Sequence, residues 1–94
     1  MSEANTASRR VRIVNELGLH ARAAARLVKL ASSYSAVVHV EKDGQRADAK
    51  SIMGVLLLCG EPGAILTLHA EGPDAKEAVD ALHALVRDRF GEGR

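Results

Sequence analysis

The sequence predicts an α+β fold: an open-faced β-sandwich in which helices cover one face of an antiparallel sheet, in the order β-α-β-β-α-β-α. Apolar residues alternate with polar ones in short stretches, as in half-buried strands, and recur every three or four positions in longer ones, as in amphipathic helices. The dipeptide Asp43-Gly44 stands between two alternating stretches and is typical of a hairpin turn. The 94 residues are enough for one domain. We expect that domain over residues 9–94, after a small, polar and mobile tail at residues 1–8.

The first strand is predicted over residues 11–15, where Val11 and Ile13 alternate with polar neighbours. The turn-forming sequence Glu16-Leu17-Gly18 ends this strand. The period then changes, and the apolar residues from 20 to 32 recur at helical spacing, which predicts the first helix.

Three cations align along the polar side of this helix and start at its amino end: Arg22, Arg26 and Lys29. The helix dipole makes a cation at an amino end unfavourable by about 0.3–1 kcal/mol at low salt, so Arg22 indicates a role other than stability. We interpret the three as a surface that faces an anion or a partner protein. The alternative is an ordinary solvated helix face.

Two further strands are predicted over residues 36–41 and 45–50, joined by the Asp43-Gly44 turn. Both central residues of such a type I′ turn have positive φ, which Asp and Gly tolerate. A fourth strand is predicted over residues 64–70, between two turns that contain proline and glycine.

Two more helices complete the pattern. Ser51 is a good N-cap for a short helix that ends at Gly60, and this helix is apolar nearly all round. We therefore expect Ile52 and Met53 to remain exposed in an apolar patch, the alternative being ordinary core residues. Asp74, with Glu77 three positions later, has the pattern of a capping box, and helical periodicity follows it as far as Phe90.

The composition excludes several classes of function. A net charge of +1 and only two aromatic residues, Tyr34 and Phe90, argue against nucleic-acid binding, so a small RNA-binding domain is a weak alternative. The single cysteine, Cys59, excludes an internal disulfide, and we expect it to be buried. We predict no metal site and no cofactor. No apolar stretch approaches the roughly 20 residues that span a bilayer, so we expect no membrane insertion and a cytoplasmic protein.

The strongest chemical candidate is His20, which lies where the Gly18 turn meets the first helix. Unpaired backbone N–H groups and the positive end of the helix dipole converge there, and this environment favours neutral imidazole. A ring nitrogen then has a lone pair for attack on phosphorus, and Arg22 is placed to donate to the resulting phosphate. The alternative is a histidine that only caps the helix or lies on the surface. For His39, His69 and His83 we expect surface roles.

Ser51 has two interpretations. A serine at this position is common simply because its hydroxyl accepts a hydrogen bond from the helix. The same hydroxyl is a candidate phosphorylation site, where a phosphate at a helix amino end would add negative charge beside the apolar patch without unfolding the helix.

Two sequence motifs, together with the number of residues between them, carry a family resemblance. The first is Gly18-Leu19-His20-Ala21-Arg22, continued by Ala24-Ala25 and Leu27-Val28-Lys29, and the second is Lys50-Ser51-Ile52-Met53-Gly54-Val55. The chain resembles HPr, the histidine-containing phosphocarrier family of the bacterial phosphoenolpyruvate-dependent phosphotransferase system. Glu71-Gly72 with Asp74-Ala75 also fits, so the similarity runs from about Arg9 to Phe90.

The resemblance implies that His20 receives a phosphoryl group from enzyme I and passes it to a histidine of an EIIA-type domain. It implies that Arg22 stabilises the phosphate, and that Ser51 is modified by HPr kinase/phosphorylase where that kinase exists. Such a protein is a phosphoryl carrier rather than an enzyme, and we expect it to be a monomer. The expected partner-binding residues are Arg26, Lys29, Lys50, Ile52 and Met53.

One position departs from the motif of the family, which usually reads His-Ala-Arg-Pro-Ala. Ala23 stands in place of the proline and lacks its fixed φ, so we expect an intact helix with a less preorganised first turn. This departure leaves an alternative open. A regulatory HPr paralogue, of the nitrogen type or a serine-phosphorylated binding module, would control a partner protein instead of sugar uptake.

Overall fold

A computed structural model describes residues 5–94 and contains four strands and three helices in the predicted order. The first strand, β1, is followed by helix α1, the strands β2 and β3, helix α2, strand β4 and helix α3. A short 3₁₀ turn follows α3. Their bounds are Thr6–Arg12 for β1, Ala21–Ser32 for α1, Val37–Lys42 for β2, Gln45–Asp48 for β3, Ile52–Leu56 for α2, Ile65–Glu71 for β4, Ala75–Arg87 for α3 and Arg89–Gly91 for the turn.

The four strands form one antiparallel sheet in the order β1-β4-β2-β3. Val40 of β2 lies opposite Leu68 of β4 on one side and Ala47 of β3 on the other. All three side chains are buried under the helices, since alternate residues of each strand face the covered side. The predicted open-faced α+β sandwich is therefore confirmed. Its core includes Leu27 of α1, Val55 of α2 and Leu82 and Val86 of α3.

The first strand begins earlier than its sequence indicated. Thr6 pairs with Glu71 and Ser8 with His69, so residues 6–8 belong to the sheet, and a tail that extends to residue 8 is wrong for them. The small, polar composition was misleading because β1 is an edge strand with one open face. The predicted mobility of Met1–Ala4 lies outside the described residues.

The hairpin between β2 and β3 has the predicted backbone. Asp43 and Gly44 both have positive φ, at 51° and 82°. The helix after Ser51 is shorter than predicted, because α2 ends at Leu56 and irregular backbone continues from there to Gly60.

The predicted capping box at the start of α3 is wrong. Asp74 precedes the helix, but its side chain makes no capping hydrogen bond. Its carboxylate instead accepts the backbone N–H groups of Ser35 at 2.9 Å and Ala36 at 2.8 Å, and so holds the loop between α1 and β2. Oδ2 accepts the Ser35 N–H and Oδ1 accepts the Ala36 N–H, and hydrogen bonds to an ionised carboxylate are stronger than neutral ones.

Over residues 5–94, none of the helices combines the length and the apolar composition that crossing a membrane requires.

Candidate functional site

The structure places His20 at the N-cap of α1. Its backbone is extended, with φ −78° and ψ 179°, and its carbonyl accepts the Ala24 N–H at 2.8 Å, which begins the helix. The ring atom Nδ1 faces the backbone N–H of Arg22 at 3.3 Å. One ring nitrogen therefore points at the amino end of the helix, where partly positive N–H groups are concentrated.

A close approach of two loops positions His20. Gly18 has a φ of 69°, and a Cβ at this residue would lie 2.5 Å from the carbonyl oxygen of Gly60. The next residue, Leu19, donates its N–H to that same oxygen at 2.7 Å. Only glycine adopts this backbone readily and leaves room for the contact. The turn before α1 is thus joined to the segment that follows α2.

The second ring nitrogen of His20 contacts a carboxylate that no sequence motif indicates. Nε2 lies within hydrogen-bond distance of Oε2 of Glu92, from the segment after the 3₁₀ turn. The side chains of His20 and Glu92 are 26% and 14% exposed, so solvent still reaches the ring. No short-range pattern predicts this pair, because the two residues are 72 positions apart.

Asn15 holds the carboxylate of Glu92 in place. The Asn15 side chain is fully buried, and Nδ2 donates to Oε1 of Glu92 at 2.9 Å and to the carbonyl of Gly18 at 2.8 Å. The hydrogen bond from Asn15 is the largest cause that lowers the pKa of Glu92 below its usual 4.5, followed among the lowering causes by the bond from His20. The carboxylate is therefore ionised at neutral pH.

The three cations expected to form one surface on α1, Arg22, Arg26 and Lys29, have different surroundings. Arg22 and Arg26 line an open pocket of about 300 Å³ together with Leu17, Glu92 and the segment that ends at Arg94. Arg26 also donates a hydrogen bond to the carbonyl of Phe90, so it contacts the protein itself. Lys29 is exposed further along the helix. The structure thus places the backbone N–H of Arg22 at Nδ1 of His20, whereas the side chain of Arg26 connects α1 to the end of the chain.

Ser51 caps α2 as its position in the sequence predicts. Its Oγ accepts the N–H of Gly54 at 3.1 Å. Next to it, Ile52 and Met53 are 46% and 68% exposed. Leu17 and Leu57 are also largely exposed, at 66% and 69%. Helix α2 therefore leaves Ile52 and Met53 in solvent, as predicted, and two further apolar side chains are exposed outside it, Leu57 directly after α2 and Leu17 in the turn before α1.

Lys50 is not a free surface cation. Its Nζ donates to the carbonyl of Tyr34 at 2.8 Å, so the ammonium group ties the start of α2 to the loop after α1. Cys59 also differs from the prediction. It is exposed and has a φ of 54°, because it lies in the irregular segment after α2 instead of inside the helix.

The remaining histidines lie away from this site. His69 on the open face of the sheet faces Ser8 through Nδ1 at 3.3 Å and Glu41 through Nε2 at 3.2 Å. His39 is its neighbour across the strands. Within residues 5–94, no group of three or more histidine, cysteine, aspartate or glutamate side chains is arranged to hold a metal ion.

Comparison with known proteins agrees with this geometry. The family model described as "PTS HPr component phosphorylation site" matches residues 7–88. The chain belongs to the HPr family. The phosphocarrier protein HPr of Cupriavidus necator is 52% identical over 81 residues, which are 86% of this chain and 91% of that protein. The phosphocarrier protein NPr of Shewanella violacea is 44% identical over 84 residues, 89% of this chain and 92% of that protein.

Solved structures show the same HPr fold. The crystal structure of HPr-C-His from Thermoanaerobacter tengcongensis superposes with a TM-score of 0.90 and 43% sequence identity, and the match covers 94% of this chain and 99% of that chain. The chain is thus a member of a family of phosphocarrier components, and its order of strands and helices is that of HPr.

Proposed function

We propose that this chain is a phosphocarrier that accepts a phosphoryl group on Nδ1 of His20 from enzyme I and passes it to a histidine of an EIIA-type domain. The observation that carries the proposal is the position of His20 as the N-cap of α1, with Nδ1 facing the Arg22 N–H. A phosphoryl group on that atom would meet backbone N–H groups and the positive end of the helix.

The two ring nitrogens are not equivalent as acceptors. Nε2 faces the carboxylate of Glu92, and a phosphoryl group there would bring two anions into contact. Nδ1 faces only an N–H donor at 3.3 Å, a long and weak hydrogen bond that an attacking lone pair gives up at small cost. Charge therefore favours transfer to Nδ1.

The transfer itself needs no cofactor. The Nδ1 lone pair attacks the phosphorus of the donor's phosphohistidine, the donor P–N bond breaks, and its electron pair returns to the donor ring. Arg22 lines the same pocket as Glu92, the partner of the His20 ring, and we propose that its guanidinium donates to the transferred phosphoryl oxygens. The reverse sequence of bond changes delivers the group to the next histidine.

We propose that the exposed apolar residues around α2 are the surface that both partners contact. Ile52 and Met53 are exposed at its start, and Lys29 supplies a cation on the neighbouring helix. We propose Arg26 and Lys50 as further partner-binding residues, each of which also donates to a backbone carbonyl of the chain. We propose that the carrier is a cytoplasmic monomer. A monomer keeps this surface open to successive partners, and a sedimentation mass near 10.0 kDa checks the monomeric state.

A phosphorylation assay tests the acceptor. The protein is incubated with phosphoenolpyruvate and enzyme I, and wild type is compared with His20→Ala and with the matched control His69→Ala. We expect acid-labile, alkali-stable label in wild type and in His69→Ala, and none in His20→Ala. Label that persists in His20→Ala would refute His20 as the acceptor.

A second candidate function is favoured by the similarity to a protein named NPr. It is a regulatory module, of the nitrogen type or switched by phosphate on Ser51, that binds a partner through Ile52 and Met53. Partner binding that survives His20→Ala but is lost in Ser51→Asp and Ile52→Asp would support this candidate. HPr kinase/phosphorylase with ATP would then place acid-stable label on Ser51.

A further inference from the structure

We propose that Glu92 is a positioning residue for the phosphoryl acceptor: its carboxylate keeps the proton of His20 on Nε2 and so leaves the lone pair on Nδ1. The inference rests on the proposed function of His20 and adds a residue that is remote from both sequence motifs. A neutral imidazole has two tautomers, and the hydrogen bond made by one nitrogen decides which nitrogen carries the proton. Oε2 of Glu92, an anionic acceptor at Nε2, selects the Nε2–H form.

The carboxylate is held for this contact from its other side. Asn15 donates Nδ2 to Oε1 of Glu92, which leaves Oε2 for the histidine ring. Asn15 is itself fixed by complete burial and by its second hydrogen bond, to the carbonyl of Gly18 in the turn that precedes the acceptor. The ring, the carboxylate and the turn therefore form one hydrogen-bonded unit.

The chain must bend sharply to bring Glu92 to this place. Arg89, Phe90 and Gly91 all have positive φ, at 57°, 55° and 79°. For a residue with a side chain this conformation costs about 1–2 kcal/mol, so packing must hold it. Phe90 is fully buried, and Arg26 donates to its carbonyl. Burial of the Phe90 ring and the hydrogen bond from Arg26 therefore both stabilise the bend. The bend brings the next residue, Glu92, to the proposed acceptor.

Phosphoryl transfer strengthens the hydrogen bond between His20 and Glu92. When the Nδ1 lone pair forms the new N–P bond, Nε2 keeps its proton and the ring becomes a phosphoimidazolium with a positive charge. The carboxylate of Glu92 then faces a charged N–H group instead of a neutral one, and the attraction between opposite charges strengthens their contact. Glu92 therefore favours the phosphorylated form over the free form, in addition to selecting the tautomer.

The chain offers a matched control in a neighbouring carboxylate. Glu16 lines the same pocket, but its partner is Arg94 at 3.6 Å, and both side chains are mostly exposed, at 63% and 84%. An exposed pair of this kind contributes little to stability. Replacing Glu16 changes the charge of the pocket as much as replacing Glu92, without touching the histidine.

The experiment combines a spectroscopic and a kinetic measurement on wild type, Glu92→Gln, Glu92→Ala and Glu16→Gln. The ¹⁵N chemical shifts of the His20 ring report the tautomer, and single-turnover transfer from phosphorylated enzyme I reports the rate. We expect Nε2–H to predominate in wild type and Glu16→Gln. In both Glu92 variants we expect a mixture of tautomers, and a transfer rate and a phosphorylation equilibrium each lower by roughly three- to tenfold.

The outcomes separate this inference from the proposed function. Slower labelling of His20 with a changed tautomer in the Glu92 variants supports both. An unchanged tautomer and rate in Glu92→Gln and Glu92→Ala overturn the role of Glu92 while His20 remains the acceptor. A wild-type protein that takes no label from enzyme I overturns the proposed function itself. An equal loss in Glu16→Gln overturns the inference as well, because the effect then comes from the charge of the pocket.

Discussion

The guanidinium of Arg26, in the middle of α1, donates a hydrogen bond to the backbone carbonyl of Phe90, 64 residues further along the chain. The aromatic ring of Phe90 is fully buried, so this carbonyl marks the point where the chain turns from the core towards the site. The bond links the helix that begins at His20 to the segment that delivers Glu92. Arg26 is thus a structural link in addition to a member of the cationic surface of α1.

Replacing Arg26 by methionine should loosen the end of the chain. Arg26→Met keeps an apolar stem but removes the donor, and the carbonyl of Phe90 loses its charged partner. Because Arg26 is exposed and water competes for its hydrogen bond, we expect the free energy of unfolding in urea to fall by about 0.5–1.5 kcal/mol. We also expect faster hydrogen exchange at the amides of Gly91 and Glu92. In Arg22→Met, a variant of an exposed residue on the same pocket, the free energy should change by less than about 0.5 kcal/mol. Equal effects of the two substitutions would contradict the link.

Asp74 makes the stability of the fold depend on pH in the acid range. The N–H of Ser35, and after it that of Ala36, hold the pKa of Asp74 below its usual 3.8. A carboxyl with a lower pKa in the folded than in the unfolded chain stabilises the fold at pH values above the unfolded pKa. This contribution is lost as the pH falls through the folded pKa. Asp74→Asn should therefore unfold at a lower urea concentration than wild type at pH 7, and the gap should narrow below about pH 4.

The control for Asp74 is the hairpin aspartate Asp43, whose side chain is 84% exposed. Asp43→Asn should leave the urea midpoint unchanged at both pH values. A constant gap between wild type and Asp74→Asn from pH 7 to pH 3 would show that the loss of stability does not come from the charge of Asp74.

Patterns local in the chain predicted most of the fold. The alternation of Val38 and Val40, the Asp43-Gly44 turn and the Ser51 N-cap each depend on a few neighbouring residues, and the structure confirms them. Errors occurred where a local pattern was weak, as in the edge strand that begins at Thr6. They also occurred where a local pattern had a stronger remote competitor, as at Asp74, whose carboxylate binds a loop 38 residues earlier in the chain.

The sequence likewise predicted the part of the site that depends on neighbouring residues. The local sequence placed His20 at a helix start with Arg22 beside it. It contained no signal for Asn15 or Glu92, because their contact joins residues 77 positions apart. An asparagine shortly after a strand and a glutamate directly after a glycine are common in protein sequences. Neither residue by itself indicates a functional site. Only the folded chain brings them together.

Two substitutions of Ser51 should separate its capping role from any role of its phosphate. Ser51→Ala removes the acceptor of the Gly54 N–H, and loss of an N-cap costs about 1 kcal/mol of the free energy of unfolding. Ser51→Asp keeps an N-cap and adds a charge that suits a helix amino end, so its stability should stay close to that of wild type. Urea unfolding of the three proteins measures this difference. If Ser51→Asp is as unstable as Ser51→Ala, a loss of partner binding in Ser51→Asp cannot be attributed to charge.

Alanine at Gly18 should damage both the fold and the placement of His20, the proposed acceptor. The substitution imposes a positive φ on a residue with a side chain, at about 1–2 kcal/mol, and places a Cβ 2.5 Å from the Gly60 oxygen. The clash adds about 1–3 kcal/mol, as overpacking does elsewhere. Because Leu19 and His20 follow directly, we expect His20 to move away from its N-cap position and to accept phosphate more slowly. Gly44→Ala is the matched control, since Gly44 has a φ of 82° but no atom within 4 Å of the added Cβ. It should cost only the backbone strain and leave the rate of phosphorylation unchanged, whereas equal rates in the two variants would show that the Gly18 turn does not position His20.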